Sequence, residues 1–202
     1  EQEIDARVDE LLEVALSTDK AIQTAPKKFD EAAHHQLAKR AAAESIVLLK
    51  NEDGILPLNP CRKVTLIGDF VCTPRYQGAG SSMVNPTRLD SLADVAETAG
   101  LNLIGYCSGY ERSGKPNKAY LAEAVAQAKL ADIVILCIGL DESSESEGLD
   151  RTHICIPAVQ KELLDAVAAV NKNIVAIISA GSVIETDWVE KCKAVVHGYL
   201  GG

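Results

Sequence analysis

The chain has 202 residues, about one and a third domains at roughly 150 residues each, of which 47% are apolar and 24% charged, an ordinary soluble composition. A net charge of −9 without any basic stripe argues against nucleic acid and anionic membrane surfaces as partners. No apolar run approaches the roughly 18 residues that a membrane span needs, and with 4% aromatics there are few stacking platforms.

Ile4, Val8, Leu11, Leu12 and Ala15 recur at helical spacing opposite Asp5, Arg7, Asp9 and Glu10, which predicts an amphipathic helix over residues 4–16. A polar stretch, 17–28, reads as a linker. Phe29, Ala33, Leu37 and Ala41 then step by four and predict a second helix over 30–50, ended by the turn residues Asn51-Glu52-Asp53-Gly54. The rest alternates. Strands are expected at 64–68, 101–106, 133–138, 174–178 and from 194. Helices are expected at 89–99 and 118–130, after Pro157, and around Trp188. Ile133-Val134-Ile135-Leu136-Cys137-Ile138 is a continuous apolar run, as in a strand buried on both faces.

This order predicts an α/β fold, a mainly parallel sheet of five to six strands with helices on both faces, preceded by a helical linker. We expect residues 1–28 to be the helix and linker and 29–202 the α/β domain. In such sheets ligands bind outside the carboxyl ends of the strands. Two long polar loops leave strand ends, 69–88 and 139–156.

The first loop holds Gln77-Gly78-Ala79-Gly80-Ser81-Ser82. A phosphate cradle is a weak reading, because no Lys follows and no G-x-G-x-x-G is present. A polyol or sugar contact through Ser81 and Ser82 fits better, beside the plain reading of a surface turn. The second loop crowds Asp141, Glu142, Glu145, Glu147 and Asp150 next to Arg151. It reads as a solvated acidic loop or as the seat of a general acid, since crowded like charges raise a carboxyl pKa. The regular calcium-loop spacing is absent. Asp150-Arg151 suggests a local ion pair or hydrogen bonds that fix the loop.

The six cysteines, Cys61, Cys72, Cys107, Cys137, Cys155 and Cys192, form no C-x-x-C pair. No zinc site and no cofactor are expected, and all six are read as reduced thiols of a cytoplasmic compartment. The start, Glu1-Gln2-Glu3-Ile4-Asp5, lacks a basic n-region, so no signal peptide is expected. His34, His35, His153 and His197 read as surface or loop residues, and Trp188 as packing under the sheet.

Several segments in order carry a resemblance. Ala43-Glu44-Ser45-Ile46-Val47-Leu48-Leu49-Lys50-Asn51 with Ile55-Leu56-Pro57-Leu58, then Val64-Thr65-Leu66-Ile67-Gly68 and Gly80-Ser81-Ser82, are similar to the lead-in, first strand and glycine-serine loop of the second domain of glycoside hydrolase family 3. Glu145-Ser146-Glu147-Gly148-Leu149-Asp150-Arg151, with Ile156-Pro157 and Gln160, resembles that family's acidic loop and the helix after it. Gly181 and Trp188 fit its G-x-x-x-x-x-x-W stretch. The resemblance implies part of a retaining, exo-acting β-glucosidase or β-xylosidase acting on β-linked glucosides or xylosides. It implies a partner barrel domain of the same enzyme carrying an aspartate nucleophile, and an acid/base glutamate on the acidic loop. Glu147 takes that position, immediately before Gly148, and Glu145 is the alternative. Ser81, Ser82, Asp150 and Arg151 are expected near the substrate. The chain stops at Leu200-Gly201-Gly202 and holds no barrel, so alone it is expected to be inactive. Two other readings are a free-standing saccharide-binding module and, disfavoured by the missing phosphate loop, a flavodoxin-like nucleotide binder.

Overall fold

The computed structural model describes residues 1–24 and 28–201. They fall into two compact units, Glu1–Gln36 and Leu37–Gly202. In the first, α1 (Gln2–Thr24) carries its apolar residues exposed, Ile4, Val8, Leu11 and Leu12 among them. Arg7 pairs with Glu10 one turn on at 2.8 Å. The helix runs through residues 17–24, where the polar sequence suggested a linker. Thr18 and Gln23 are absorbed into its turns by bonds to Val14 and Asp19. The rest of that expected linker includes 25–27, which lie outside the described residues.

A second helix, α2 (Glu31–Ser45), ends earlier than its apolar steps suggested. Asp30 caps its start through the Ala33 N–H at 3.0 Å. Residues 47–51 leave it to form a strand, β1 (Val47–Asn51), antiparallel to the last strand of the sheet. The helical period carried across this boundary because Val47, Leu48 and Leu49 are apolar in both conformations. Ladder pairing with a distant strand decides between them.

The remaining elements are β2 (Lys63–Ile67), α3 (Leu92–Ala96), β3 (Asn102–Cys107), α4 (Lys118–Leu130), β4 (Ile133–Gly139), α5 (Ala158–Ala168), β5 (Ile174–Ser179) and β6 (Ala194–His197). They form one six-stranded sheet in the order β1-β6-β5-β4-β2-β3, parallel except for β1. The α/β architecture is the expected one. Right-handed crossovers put α3 on one face and α4 and α5 on the other. α3 is a short helix with a capping box between Ser91 and Asp94, and covers only part of the span predicted for it.

The core sits on β2, β4 and β5. All seven residues of β4 are buried, which explains its unbroken apolar run. Leu163, Leu164 and Val167 of α5 bury their side chains against it. Trp188 is buried as well and donates its indole N–H to the Glu185 carbonyl at 2.9 Å, so it packs as expected. Gly139 ends β4 at φ +148°, where a Cβ would stand 2.0 Å from the Ser179 carbonyl oxygen. Only glycine lets the β4 and β5 main chains close this tightly. The N–H of Gly139 donates to the buried Gln160 side chain at 2.9 Å. These bonds aim the chain out of the sheet and into the acidic loop.

Strand order reverses between β2 and β4. β3 lies to one side of β2, while β4, β5 and β6 lie to the other. The loops that follow β2 and β4 are therefore neighbours at the switch point of the sheet, where parallel α/β folds form their crevices. Among the described residues no helix is long and apolar enough to cross a membrane.

Candidate functional site

A cleft of about 940 Å³ opens at this switch point, lined by Arg75, Ser81, Ser82, Glu145, Glu147, Asp150, Arg151, His153 and Ser182, among others. It is built from the loops after β2, β4 and β5, with Leu200 after β6. All six site residues expected from the sequence, Ser81, Ser82, Glu145, Glu147, Asp150 and Arg151, lie in its wall.

The five carboxylates of the acidic loop do not face one another as a group; four find separate donors. Asp141 is buried and accepts from the Ser144 N–H at 2.9 Å and from the hydroxyls of Ser143 and Ser144, which turns the chain at the loop's start. Glu142 reaches Arg112, which also bonds Asp69 at 2.6 Å. Glu145 turns inward and Glu147 turns along the cleft wall.

Glu145 is spent on structure. Its side chain is 11% exposed. One carboxylate oxygen receives Arg75 and the Gly181 N–H at 2.9 Å, and the other receives the Ser182 hydroxyl. Burial pushes this carboxyl up, but the Ser182 hydroxyl, the Gly181 amide and the Arg75 guanidinium together hold it below the usual carboxylate range. Arg151 completes the cluster by donating to the Ser182 hydroxyl at 2.8 Å and the Val183 carbonyl at 2.9 Å. Arg151 thus fixes the loop by hydrogen bonds, the second of the two ways expected, to the loop after β5 and not by an ion pair with Asp150. Neighbours in sequence face different ways, and Val183 offers a fixed carbonyl where Asp150 lies exposed.

Glu147 is exposed but anchored. Its N–H donates to the Ala79 carbonyl at 3.3 Å. Its carboxylate receives the Ser81 N–H at 2.9 Å and the Ser81 hydroxyl. The Ser81 hydroxyl, then its amide, hold the Glu147 carboxyl below the usual range. The raised pKa expected from crowding is therefore reversed for both glutamates, because each has a private donor set that outweighs the effect of burial. Gly80, at φ +90°, makes the approach possible; a Cβ there would lie 2.8 Å from Glu147 Cβ. Ser81 touches Glu147, and Ser82 lies exposed beside it on the wall.

Arg75 escaped the sequence reading. It lies in the middle of a long loop, and the acid it pairs with is far along the chain. A single arginine that precedes a glycine-serine turn is too thin a signal to find it. Among the described residues no group of three or more His, Cys, Asp or Glu side chains has the arrangement of a metal site. The six cysteines are free thiols.

Comparison with known proteins adds a family to this geometry. The family model described as the glycosyl hydrolase family 3 C-terminal domain matches residues 46–202. The thermostable beta-glucosidase B of Acetivibrio thermocellus is 47% identical over 180 residues, covering 87% of this chain and 24% of that protein. An exo-alpha-(1->6)-L-arabinopyranosidase of Bifidobacterium longum is 38% identical over 211 residues, covering 99% of this chain and 28% of its own length. A crystal structure of the Bifidobacterium adolescentis GH3 beta-glucosidase superposes with a TM-score of 0.87 at 42% identity, covering 95% of this chain and 28% of that one. The chain thus spans about a quarter of the length of these relatives. From the β1 strand to its last residue, the chain belongs to glycosyl hydrolase family 3, as the C-terminal α/β domain of its beta-glucosidase-like enzymes.

Proposed function

We propose that this domain supplies the acid/base carboxyl, Glu147, to a retaining exo-glycosidase whose nucleophile stands on the partner barrel domain of the same enzyme. The single observation that supports it is the division of labour between the two glutamates. Glu145 has both carboxylate oxygens engaged by protein donors and its side chain only 11% exposed, so it has little left to offer a sugar. Glu147 stands in the wall of the cleft with one oxygen, Oε2, held by Ser81 and its side chain open to whatever occupies that space. Ser82, Asp150 and Arg151 flank it as substrate-side residues.

In a retaining mechanism the acid protonates the departing oxygen, then removes a proton from water, and stands about 5–5.5 Å from the nucleophile across the sugar. Two domains can each bring one carboxyl if their faces meet. The acid needs a raised pKa, and within this domain Ser81 lowers it. The compensating charge is then the nucleophile carboxylate itself. Bringing that anion close favours the protonated form of Glu147, and its loss on forming the glycosyl-enzyme turns Glu147 into a base. The domain alone lacks that partner and is inactive. The relatives' names span β-glucosidases and an arabinopyranosidase, so the substrate class is a terminal glycoside. The sugar itself is selected outside this chain.

The test replaces Glu147 with Gly in the full-length enzyme. Substrates with poor leaving groups lose turnover, dinitrophenyl glycosides retain a fast first step, and azide restores turnover with formation of a glycosyl azide. Unchanged kinetics on poor leaving groups would remove Glu147 from the mechanism.

A further inference from the structure

We infer that Arg75 is a positioning residue for Glu147, locking the acidic loop against the loop that follows β2. The inference rests on reading Glu147 as the acid/base. The Arg75 side chain is 2% exposed, and its two terminal nitrogens bond to the loop after β4, while its buried Nε has no partner. One terminal nitrogen donates to the Leu140 carbonyl at 3.0 Å and to the Glu145 carboxylate. The other donates to the Glu145 carbonyl at 3.0 Å. One side chain thus fixes the root of the acidic loop together with the main chain and side chain of the residue two before Glu147.

The other end of Glu145 is held by Gly181 and Ser182, so three strand-end loops converge on one buried ion pair. Only Ser146 then separates Glu145 from Glu147. The Glu147 N–H meets Ala79 and its carboxylate meets Ser81, on the same loop that carries Arg75. Arg75 and Ser81 therefore bracket the acidic loop from one strand end, the first fixing its path and the second receiving the side chain. A planar fork can hold a carboxylate and two carbonyls in one geometry, and a lysine ammonium cannot. Without the fork, the loop carries Glu147 on a path with more freedom, and misplacement of a proton donor by about 1 Å costs on the order of 100-fold in rate.

The test compares Arg75→Lys with wild type in the full-length enzyme. It measures kcat/KM for a dinitrophenyl glycoside, which leaves without protonation, and for an alkyl glycoside, which does not. Arg75→Lys is expected to lose roughly 10- to 100-fold on the alkyl glycoside and to stay near wild type on the dinitrophenyl glycoside. In a Glu147→Gly background it is expected to add no further loss on the alkyl glycoside, because it acts through that carboxyl. Equal losses on both substrates, or a full additional loss in the Glu147→Gly background, would overturn the positioning role. If Arg75→Lys does not fold by circular dichroism, Glu145→Gln, which keeps the shape and weakens the same grip, is read by the same two substrates. Failure of the underlying reading is distinct: Glu147→Gly would then itself show no dependence on the leaving group.

Discussion

The two glycines that flank the Glu147 site offer a controlled perturbation. Gly80 has φ +90° and Gly148 has φ +76°. A side chain at either position pays the left-handed penalty, about 1–2 kcal/mol. The surroundings differ. A Cβ on Gly148 meets nothing within 4 Å, whereas a Cβ on Gly80 stands 2.8 Å from Glu147 Cβ and 3.1 Å from its Oε2. Ordinary carbon–carbon contact begins near 3.5 Å, so Glu147 must retreat by about 0.7 Å at least. That breaks the reach to Ser81 and moves the carboxyl from its place in the cleft wall. Gly80→Ala in the full-length enzyme is therefore expected to lower kcat/KM for an alkyl glycoside by on the order of 100-fold, in line with a displacement near 1 Å. Gly148→Ala, with the same backbone cost and no collision, is expected to lose far less. The assay is initial-rate hydrolysis of the same substrate by both variants, with thermal melting as the control for folding. Equal losses in the two variants would refute the reasoning, because backbone strain alone would then account for everything.

The remaining predictions test other contacts. Ser81→Ala removes the hydroxyl that holds the Glu147 carboxyl low, so the alkaline limb of the kcat/KM profile, which reports the acid, is expected to move to higher pH; a limb that stays or falls counts against the contact. Glu145 has a folded pKa below its ordinary 4.5, so its stabilising contribution is complete above that value and is lost as pH falls through the lower folded value. Glu145→Gln is expected to flatten the acid side of a melting-temperature profile, and an unchanged acid side would be the adverse outcome. Burial pushes the thiols of Cys107, Cys137 and Cys192 up to about 12. A thiol reagent on the native protein is expected to modify exposed Cys61, Cys72 and Cys155 and to reach the other three only on unfolding.

Much of the sheet was legible in the sequence because its strands are buried on both faces. The β-branched runs at 133–138 and 174–178 have no helical reading that would leave a polar side. β1 was illegible for the opposite reason. Its apolar residues Val47, Leu48 and Leu49 are exposed, and its strand state is conferred by β6 far along the chain. The location of the site followed from topology, since loops after β2 and β4 must meet at the switch point. Its inner workings did not follow. Which of Glu145 and Glu147 is tied down depends on which one finds a buried arginine, and Arg75 is separated from Glu145 by an entire α-β-α-β passage. Crowding of charge was visible in the sequence, while the donors that cancel it belong to Ser81, Gly181 and Ser182 on other loops.

The pairing of β1 with β6, Val47 opposite His197, has a consequence for biosynthesis. Within this sheet the first strand in the chain waits for the last. Closing so long a loop is entropically slow, and until then Val47, Leu48 and Leu49 present an apolar strand with an open ladder. Such an edge recruits whatever strand is nearest, including another nascent copy. Loss of residues 194–197 would make that waiting state permanent, so the last strand of this sheet guards the first against mispairing.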